Sequence, residues 1–170
     1  MTNEAIVRDL LENDGACRDI NFSEHISTEG ACALLDVIEA RWQLIRATDH
    51  DGDVVRPGSL RAMLKRESGA LSTIWEGPAV PRHLQAFFYW TCSDQVFCEL
   101  TFFPEDLDPP QFVFEDFLHL LALFVRAARS REYYVRVGDG SWSHAKGSTG
   151  SVIFSHETIS AVAHNTVNFS

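Results

Sequence analysis

Apolar residues recur at helical spacing in three places within the first 70 residues. The first place is residues 3–13, and the second follows Ser27, whose hydroxyl can cap a helix N-terminus. The third follows Pro57, a residue type that is favoured in the first turn of a helix. Between these segments, alternating residues at 18–22 and around 42–46 predict two strands. We therefore expect three short helices and two strands in this part of the chain.

The most apolar part of the chain predicts a β-hairpin with a helix packed on it. Residues 84–91 and 96–103 are rich in aromatic and β-branched residues and flank the turn sequence Ser93-Asp94. Because both runs are apolar almost throughout, we expect central strands that are covered on both faces. Residues 114–128 are apolar nearly all round, which predicts a buried helix lying across the sheet.

Two further strands are predicted at 132–137 and 152–154, and no repeat or linker divides the chain. The predicted fold class is α+β, with a mainly antiparallel sheet. Its central hairpin, about 84–103, is covered by the buried helix, about 113–129, and shorter helices lie in the N-terminal part. We expect a single domain over residues 1–170, with a tail after about residue 160 that is frayed or weakly docked.

The acidic residues of the chain are concentrated in two stretches. The 170 residues carry a net charge of -10. Residues 1–40 contain nine acids and two arginines, and residues 83–118 contain seven acids without any Lys or Arg. This balance argues against direct binding of nucleic acid, which requires clustered basic residues. It fits either a solvated acidic surface without a target or a field that attracts a basic partner.

Neither a membrane span nor a disulfide framework is predicted. The longest apolar run, residues 117–128, is shorter than the roughly 20 residues that cross a bilayer. Acids occupy the first 15 residues, where a secretory signal would carry basic residues, so we expect a cytoplasmic protein. Cys92 and Cys98 flank the hairpin turn and could face each other, but a reducing compartment favours buried free thiols.

No residue pattern in the chain points to a metal site or to catalysis. Asp49, Asp51 and Asp53 have the alternate spacing of a calcium loop. However, Gly52 precedes the third acid instead of following it, and Leu60 stands where the loop needs a bidentate Glu. The seven histidines are scattered through the sequence without the spacing of metal ligands. The glycine-containing turns match neither a phosphate-binding loop nor the turn that carries a nucleophilic serine. We therefore expect no cofactor and no enzymatic activity.

An acid-rich loop leads into the predicted core helix. Its acids surround Pro109-Pro110, so they are expected to be solvated, unlike catalytic carboxylates, which apolar groups normally desolvate. Prolines and acids together give a rigid presentation of negative charge at a helix N-terminus, which the helix dipole favours. The same arrangement also fits helix stabilisation and solubility alone.

Three segments, residues 97–104, 117–121 and 132–142, combine into a familiar arrangement. A hairpin ends in an acidic, proline-containing loop, a helix covers it, and the sequence Glu-Tyr-Tyr-Val-Arg follows with a Trp shortly after. Over about residues 84–155 the chain resembles immunity proteins of bacterial polymorphic toxin systems. The resemblance implies tight inhibition of one secreted toxin that is delivered by contact-dependent or type VI secretion.

The expected function is therefore neutralisation of a cognate toxin, a protein partner. A toxin that cuts nucleic acid needs a basic active-site cleft, which an acidic surface can occlude. We expect a monomer or homodimer that binds neither nucleic acid nor membrane. The predicted partner-binding residues are Asp94, Glu105, Asp106, Asp108, Glu115, Asp116 and Trp142.

Two other function classes stay open on the sequence alone. A small-molecule-binding or enzymatic α+β domain would line a pocket between sheet and helix with the aromatic residues of 87–90 and 133–134. A structural or adaptor subunit would instead expose an apolar patch for self-association, through Trp142 and the last strand.

Overall fold

The computed structural model describes residues 2–138 and 151–159, which form a seven-stranded antiparallel sheet with four α-helices. The helices are α1 (Asn3–Leu11), α2 (Thr28–Glu39), α3 (Leu60–Leu64) and α4 (Phe114–Ala128). The strands are β1 (Arg18–Phe22), β2 (Gln43–Asp49), β3 (Gly69–Glu76), β4 (His83–Trp90), β5 (Phe97–Phe102), β6 (Tyr133–Val137) and β7 (Val152–Ser155). Their order across the sheet is β2-β3-β4-β5-β1-β6-β7. The predicted α+β fold is confirmed, whereas the predicted frayed tail lies outside the described residues.

Local sequence explains how α2 begins and how closely it packs. The Ser27 hydroxyl accepts a hydrogen bond from the Gly30 backbone N–H at 2.9 Å, so Ser27 is the N-cap that the sequence predicts. A Cβ atom at Gly30 would lie only 2.6 Å from the Ala128 carbonyl oxygen. Only glycine permits this approach, which brings the start of α2 against the end of α4.

The hairpin of β4 and β5 lies in the middle of the sheet, as predicted, but only one of its faces is covered. Side chains of β4 alternate strictly between buried and exposed, with Phe88 and Trp90 in the core. Phe87 and Tyr89 point to the opposite face and are 37% and 48% exposed. The prediction that both faces are covered is wrong, because an apolar side chain in a strand does not by itself imply burial.

Helix α4 packs on the sheet through one face. Phe117, Leu121 and Phe124 are buried at helical spacing, and the Phe117 ring centre lies 5.8 Å from that of Phe102 in β5. Leu123 lies on the opposite face and is 37% exposed. The helix is therefore where the sequence places it, but it is amphipathic rather than buried all round. No helix within residues 2–138 and 151–159 is long and apolar enough to cross a membrane.

Strand β3 was not predicted from the sequence. Leu71, Thr73 and Trp75 alternate as buried residues between exposed ones, which is the usual pattern of a half-buried strand. The strand begins at Gly69, where a Cβ atom would lie 2.8 Å from the Trp90 ring. Gly69 thus marks a close approach between β3 and β4 rather than only the end of the preceding helix.

All four cysteines are free thiols, as predicted. Cys98 is buried in the core, and burial raises the pKa of its thiol well above the ordinary value. Cys92 is exposed, so the prediction of a buried thiol does not hold at that position.

Candidate partner-binding site

The acid-rich loop between β5 and α4 is built from two short 3-10 helices. They span Pro104–Leu107 and Pro109–Gln111, and each begins with a proline, whose fixed φ suits a first helical turn. Asp108 joins them in the left-handed region, with a φ of 52°. The loop is therefore a defined structure that delivers the chain into α4.

Asp106 stabilises this loop. Its side chain is nearly buried, accepts a hydrogen bond from the Phe103 N–H at 3.0 Å, and lies 2.9 Å from Nδ1 of His83. The hydrogen bond to Asp106 raises the pKa of His83, and the charges of Asp106 and Glu76 add to the effect. The Asp106 carboxylate is therefore engaged inside the protein rather than presented to a partner.

Asp108 is also engaged. Its carboxylate forms an ion pair with Arg82 at 3.0 Å, and the Arg82 backbone N–H donates to the Asp106 carbonyl at 2.8 Å. Arg82 immediately precedes the stretch 83–118, whose lack of basic residues suggested uncompensated charge. The structure thus corrects that expectation, because a neighbouring arginine folds back onto the loop.

Glu99, in β5, belongs to a buried ionic cluster on the face of the sheet opposite α4. Its carboxylate lies 2.9 Å from the guanidinium of Arg136, which also pairs with Asp19 at 3.1 Å. Asn21 bridges the pair with hydrogen bonds to both partners. Burial raises the pKa of Asp19. Each of these groups has a partner in the cluster, and the cluster links strands β1, β5 and β6.

In the loop and the first turn of α4, three of the predicted acids are exposed and form no ion pair with the described residues: Glu105, Glu115 and Asp116. Glu115 and Asp116 lie in the first turn of α4, where the helix dipole favours them. Asp94 lies at the other end of the β4–β5 hairpin and accepts the Thr28 N–H at 2.9 Å. The predicted set therefore does not form one surface, and Trp142 lies outside the described residues.

Folding brings the first acidic stretch next to the acid-rich loop. Helix α1 packs against the 3-10 helix Pro104–Leu107. The buried guanidinium of Arg18 holds α1 by donating to the carbonyl oxygens of Asp9 and Glu12, at 2.9 and 2.7 Å. Glu4 and Glu12 of this region have exposed side chains. The two acidic stretches are therefore neighbours in space, a proximity that the sequence did not indicate.

A groove runs along α4 beside these acids. It consists of two adjoining cavities of about 270 Å³ each, and Val80 and Asp116 contribute to both. The other side chains of the first cavity are Leu107, Asp108, Gln111, Phe112, Val113 and Phe117. Those of the second are Arg41, Trp42, Ala79, His119, Leu120 and Leu123. Sequence reasoning missed this groove, because residues 114–128 are apolar nearly all round and do not show which flank of α4 is exposed.

The aromatic residues proposed to line a ligand pocket do not converge. Phe88 and Trp90 face the core, whereas Phe87 and Tyr89 face the other side of the sheet. Tyr133 is buried, and its hydroxyl donates to the Ile159 carbonyl at 3.0 Å. None of these residues lines either cavity of the groove. Within the described residues, these side chains therefore do not all face one space, as an aromatic-lined pocket would require.

Asp49, Asp51 and Asp53 come together in the described part of the chain, with side-chain oxygens within 4.8 Å of one another. Asp49 accepts hydrogen bonds from the backbone N–H groups of Asp51 and Asp53, at 3.0 and 2.9 Å. These bonds close the turn after β2 and account for the clustering.

No protein-family model matches the chain, and no curated protein matches it. A solved structure does: a chain in the crystal structure of the toxic C-terminal tip of CdiA from Pseudomonas aeruginosa in complex with immune protein. The two chains share a fold. The TM-score is 0.58 at 13% identity, over 85% of this chain and 96% of that chain. At this identity, the similarity shows a shared fold.

A second solved structure is more distant. It is the Pseudomonas aeruginosa T6SS protein PA0821, with a TM-score of 0.41 and 15% identity. The match covers 72% of this chain and 42% of that chain. A similarity at this level does not establish a shared fold.

Proposed function

We propose that this protein is an immunity protein that binds and neutralises a cognate bacterial toxin. The observation that carries the proposal is the fold shared, over most of both chains, with a chain from a complex of a CdiA toxic tip and its immune protein. The hairpin, acidic loop and helix that resemble immunity proteins in sequence are β4, β5 and α4 with the loop before it.

The proposed mechanism is occlusion of a basic active-site cleft, such as a nuclease requires for its phosphate backbone. Glu105, Glu115 and Asp116 support this mechanism because they are exposed and form no ion pair with the described residues. Charges of this kind accelerate association with a basic partner and disfavour acidic competitors. Asp106 and Asp108 support the site indirectly, by holding the loop in place.

The protein is proposed to act by binding, without catalysis, in the cytoplasm of the cell that makes the toxin. Four free thiols in a chain of this length fit a reducing compartment. The shifted pKa values described above have structural causes, which are the hydrogen bond to Asp106 for His83 and burial for Asp19 and Cys98.

The direct test is protection of cells. The toxin domain encoded by the gene adjacent to this one is expressed in a susceptible strain, with and without this protein. Growth should be restored only when the protein is present, and nucleic acid should remain intact if the toxin is a nuclease. Continued killing, although the folded protein is present in excess, would contradict the proposal.

The role of the acids is tested separately by surface plasmon resonance with the same toxin domain. The triple substitution Glu105→Lys, Glu115→Lys and Asp116→Lys should slow association at low salt by about tenfold or more, while high salt should reduce the difference. Asp94→Lys serves as the control, because Asp94 lies at the far end of the hairpin. An unchanged association rate in the triple variant would contradict electrostatic steering by these acids.

A further inference from the structure

We infer that the groove along α4 binds a segment of the toxin that carries a basic side chain flanked by apolar ones. The inference rests on the proposed function and specifies where the partner docks and what chemistry it presents. One acid, Asp116, lies in both cavities of the groove, and apolar side chains form most of the remaining wall. A segment with the opposite charge and matching apolar neighbours therefore fits the groove best.

The helical wall of the groove follows from the spacing of residues on α4. Val113, Asp116, Leu120 and Leu123 lie three or four positions apart, so they share one flank of the helix. Val113 and Leu123 are 51% and 37% exposed, at opposite ends of this flank. Solvent-exposed apolar residues that line a concave surface, rather than being scattered singly, are typical of a contact site.

The opposite wall is held rigidly. Val80 lies in the loop between β3 and β4, and the Trp42 indole N–H donates to the Pro81 carbonyl at 2.6 Å. The Arg82 backbone N–H bonds to the Asp106 carbonyl, and the Gly77 N–H bonds to the Arg82 carbonyl at 3.1 Å. Because these bonds fix the loop, the groove is formed before a partner arrives, which lowers the entropic cost of binding.

Charge complementarity decides the chemistry of the occupant in the first cavity, whose lining includes two acids and no basic residue, whereas Arg41 and His119 line the second cavity. Asp116 is exposed and forms no ion pair with the described residues, whereas Asp108, which lines only the first cavity, is paired with Arg82. Asp116 is therefore the carboxylate available to a Lys or Arg of the toxin. Apolar residues on either side of that cation would contact Val113 in one cavity and Leu123 in the other.

The chain offers a matched pair of charge variants. Glu115 and Asp116 are adjacent, exposed and in the same helical turn, but only Asp116 lines the groove. Asp116→Lys should raise the Kd for the toxin domain encoded by the adjacent gene by about tenfold or more relative to Glu115→Lys. Equal effects of the two substitutions would overturn the inference, because the acids would then act only through a diffuse field.

A second matched pair tests the apolar wall. Val80→Ser should raise the dissociation rate by about tenfold, because a well-packed apolar contact mainly controls how long the complex lasts. Val54→Ser is the control, because Val54 is even more exposed, at 71%, and lies outside the groove. It pairs with Thr48, near the C-terminal end of β2. Equal dissociation rates for the two variants would overturn the inference.

Circular dichroism and melting curves of each variant first establish that it folds. Failure of the wild-type protein to bind the toxin domain would overturn both the proposed function and this inference. Binding and protection by the wild type, with no difference within either matched pair, would overturn the inference alone. Changes in the amide NMR signals of Val80, Val113 and Leu123 on binding provide an independent measurement, and their absence would likewise overturn it.

Discussion

The inner and outer sides of the segment 104–128 contrast sharply, although their residues alternate along the chain. Phe124 is fully buried, while the adjacent Leu123 is 37% exposed. Asp106 is hydrogen-bonded to His83 and to the Phe103 N–H, while the adjacent Glu105 is exposed and forms no ion pair with the described residues. Residue type alone therefore does not separate the side chains that stabilise the fold from those available to a partner.

The contrast has a physical basis. Helical geometry turns successive residues by about 100°, so neighbours in α4 cannot share a face. In the loop, Asp106 is nearly buried and needs partners, which His83 and the Phe103 N–H supply. The inner side is expected to determine stability, and the outer side is expected to determine binding.

The largest effect on stability is expected in α4. Phe124→Ala should lower the free energy of unfolding by about 3–5 kcal/mol, because it leaves a cavity in the core. Leu123→Ala is the matched control and should cost less than about 1 kcal/mol. Chemical denaturation of both variants measures the difference. Similar losses in the two would show that α4 does not have distinct inner and outer faces.

A smaller effect is expected in the acid-rich loop. Asp106→Ala should lower the free energy of unfolding by about 1–3 kcal/mol, because the Phe103 N–H and His83 both lose their partner. Glu105→Ala should change the free energy of unfolding by no more than about 0.5 kcal/mol. The same denaturation experiment applies, and equal stability of the two variants would contradict a structural role for Asp106.

The smallest expected effect is a dependence of stability on pH, which tests the role of Asp106 further. The hydrogen bond between Asp106 and His83, together with the charge of nearby Glu76, raises the pKa of His83 in the folded state. This contribution to stability is fully present below the unfolded pKa of about 6.5 and is lost as the pH rises through the folded pKa. Because His83 is largely exposed, it should amount to less than about 1 kcal/mol.

The measurement is the difference in free energy of unfolding between the wild type and His83→Gln. This difference should be larger at pH 5.5 than at pH 9. In the Asp106→Asn background it should lose most of its pH dependence, leaving only the weaker effect of Glu76. An unchanged pH dependence in that background would show that Asp106 is not the main cause of the raised pKa.

Much of the fold could be predicted because local patterns suffice for it. Helices α1, α2 and α4 and strands β1, β5 and β7 lie close to their predicted positions. Strand β3 was missed because Thr73 is buried and Ile74 is exposed, so the sequence does not alternate between apolar and polar residues. The prediction that both faces of β4 are covered was wrong, because the sequence does not show which face of a central strand contacts the helices.

The candidate site could be predicted only in part. The sequence identified the exposed acids Glu105, Glu115 and Asp116. It did not indicate that Asp108 would be paired with Arg82, because that ion pair depends on how the loop folds back. The groove was also missed, since Val80 and the flank of α4 are distant in sequence and meet only in the folded protein.

The central claim is that this protein neutralises a toxin through the outer side of the loop and α4. Hydrogen–deuterium exchange of the protein, alone and in complex with the toxin domain encoded by the adjacent gene, tests it most directly. Backbone amides of residues 77–82 and 104–123 should exchange more slowly in the complex, while the amides of strands β3 to β5 should change little. A complex that slows exchange only in β3 to β5, or no complex at all, would contradict the claim.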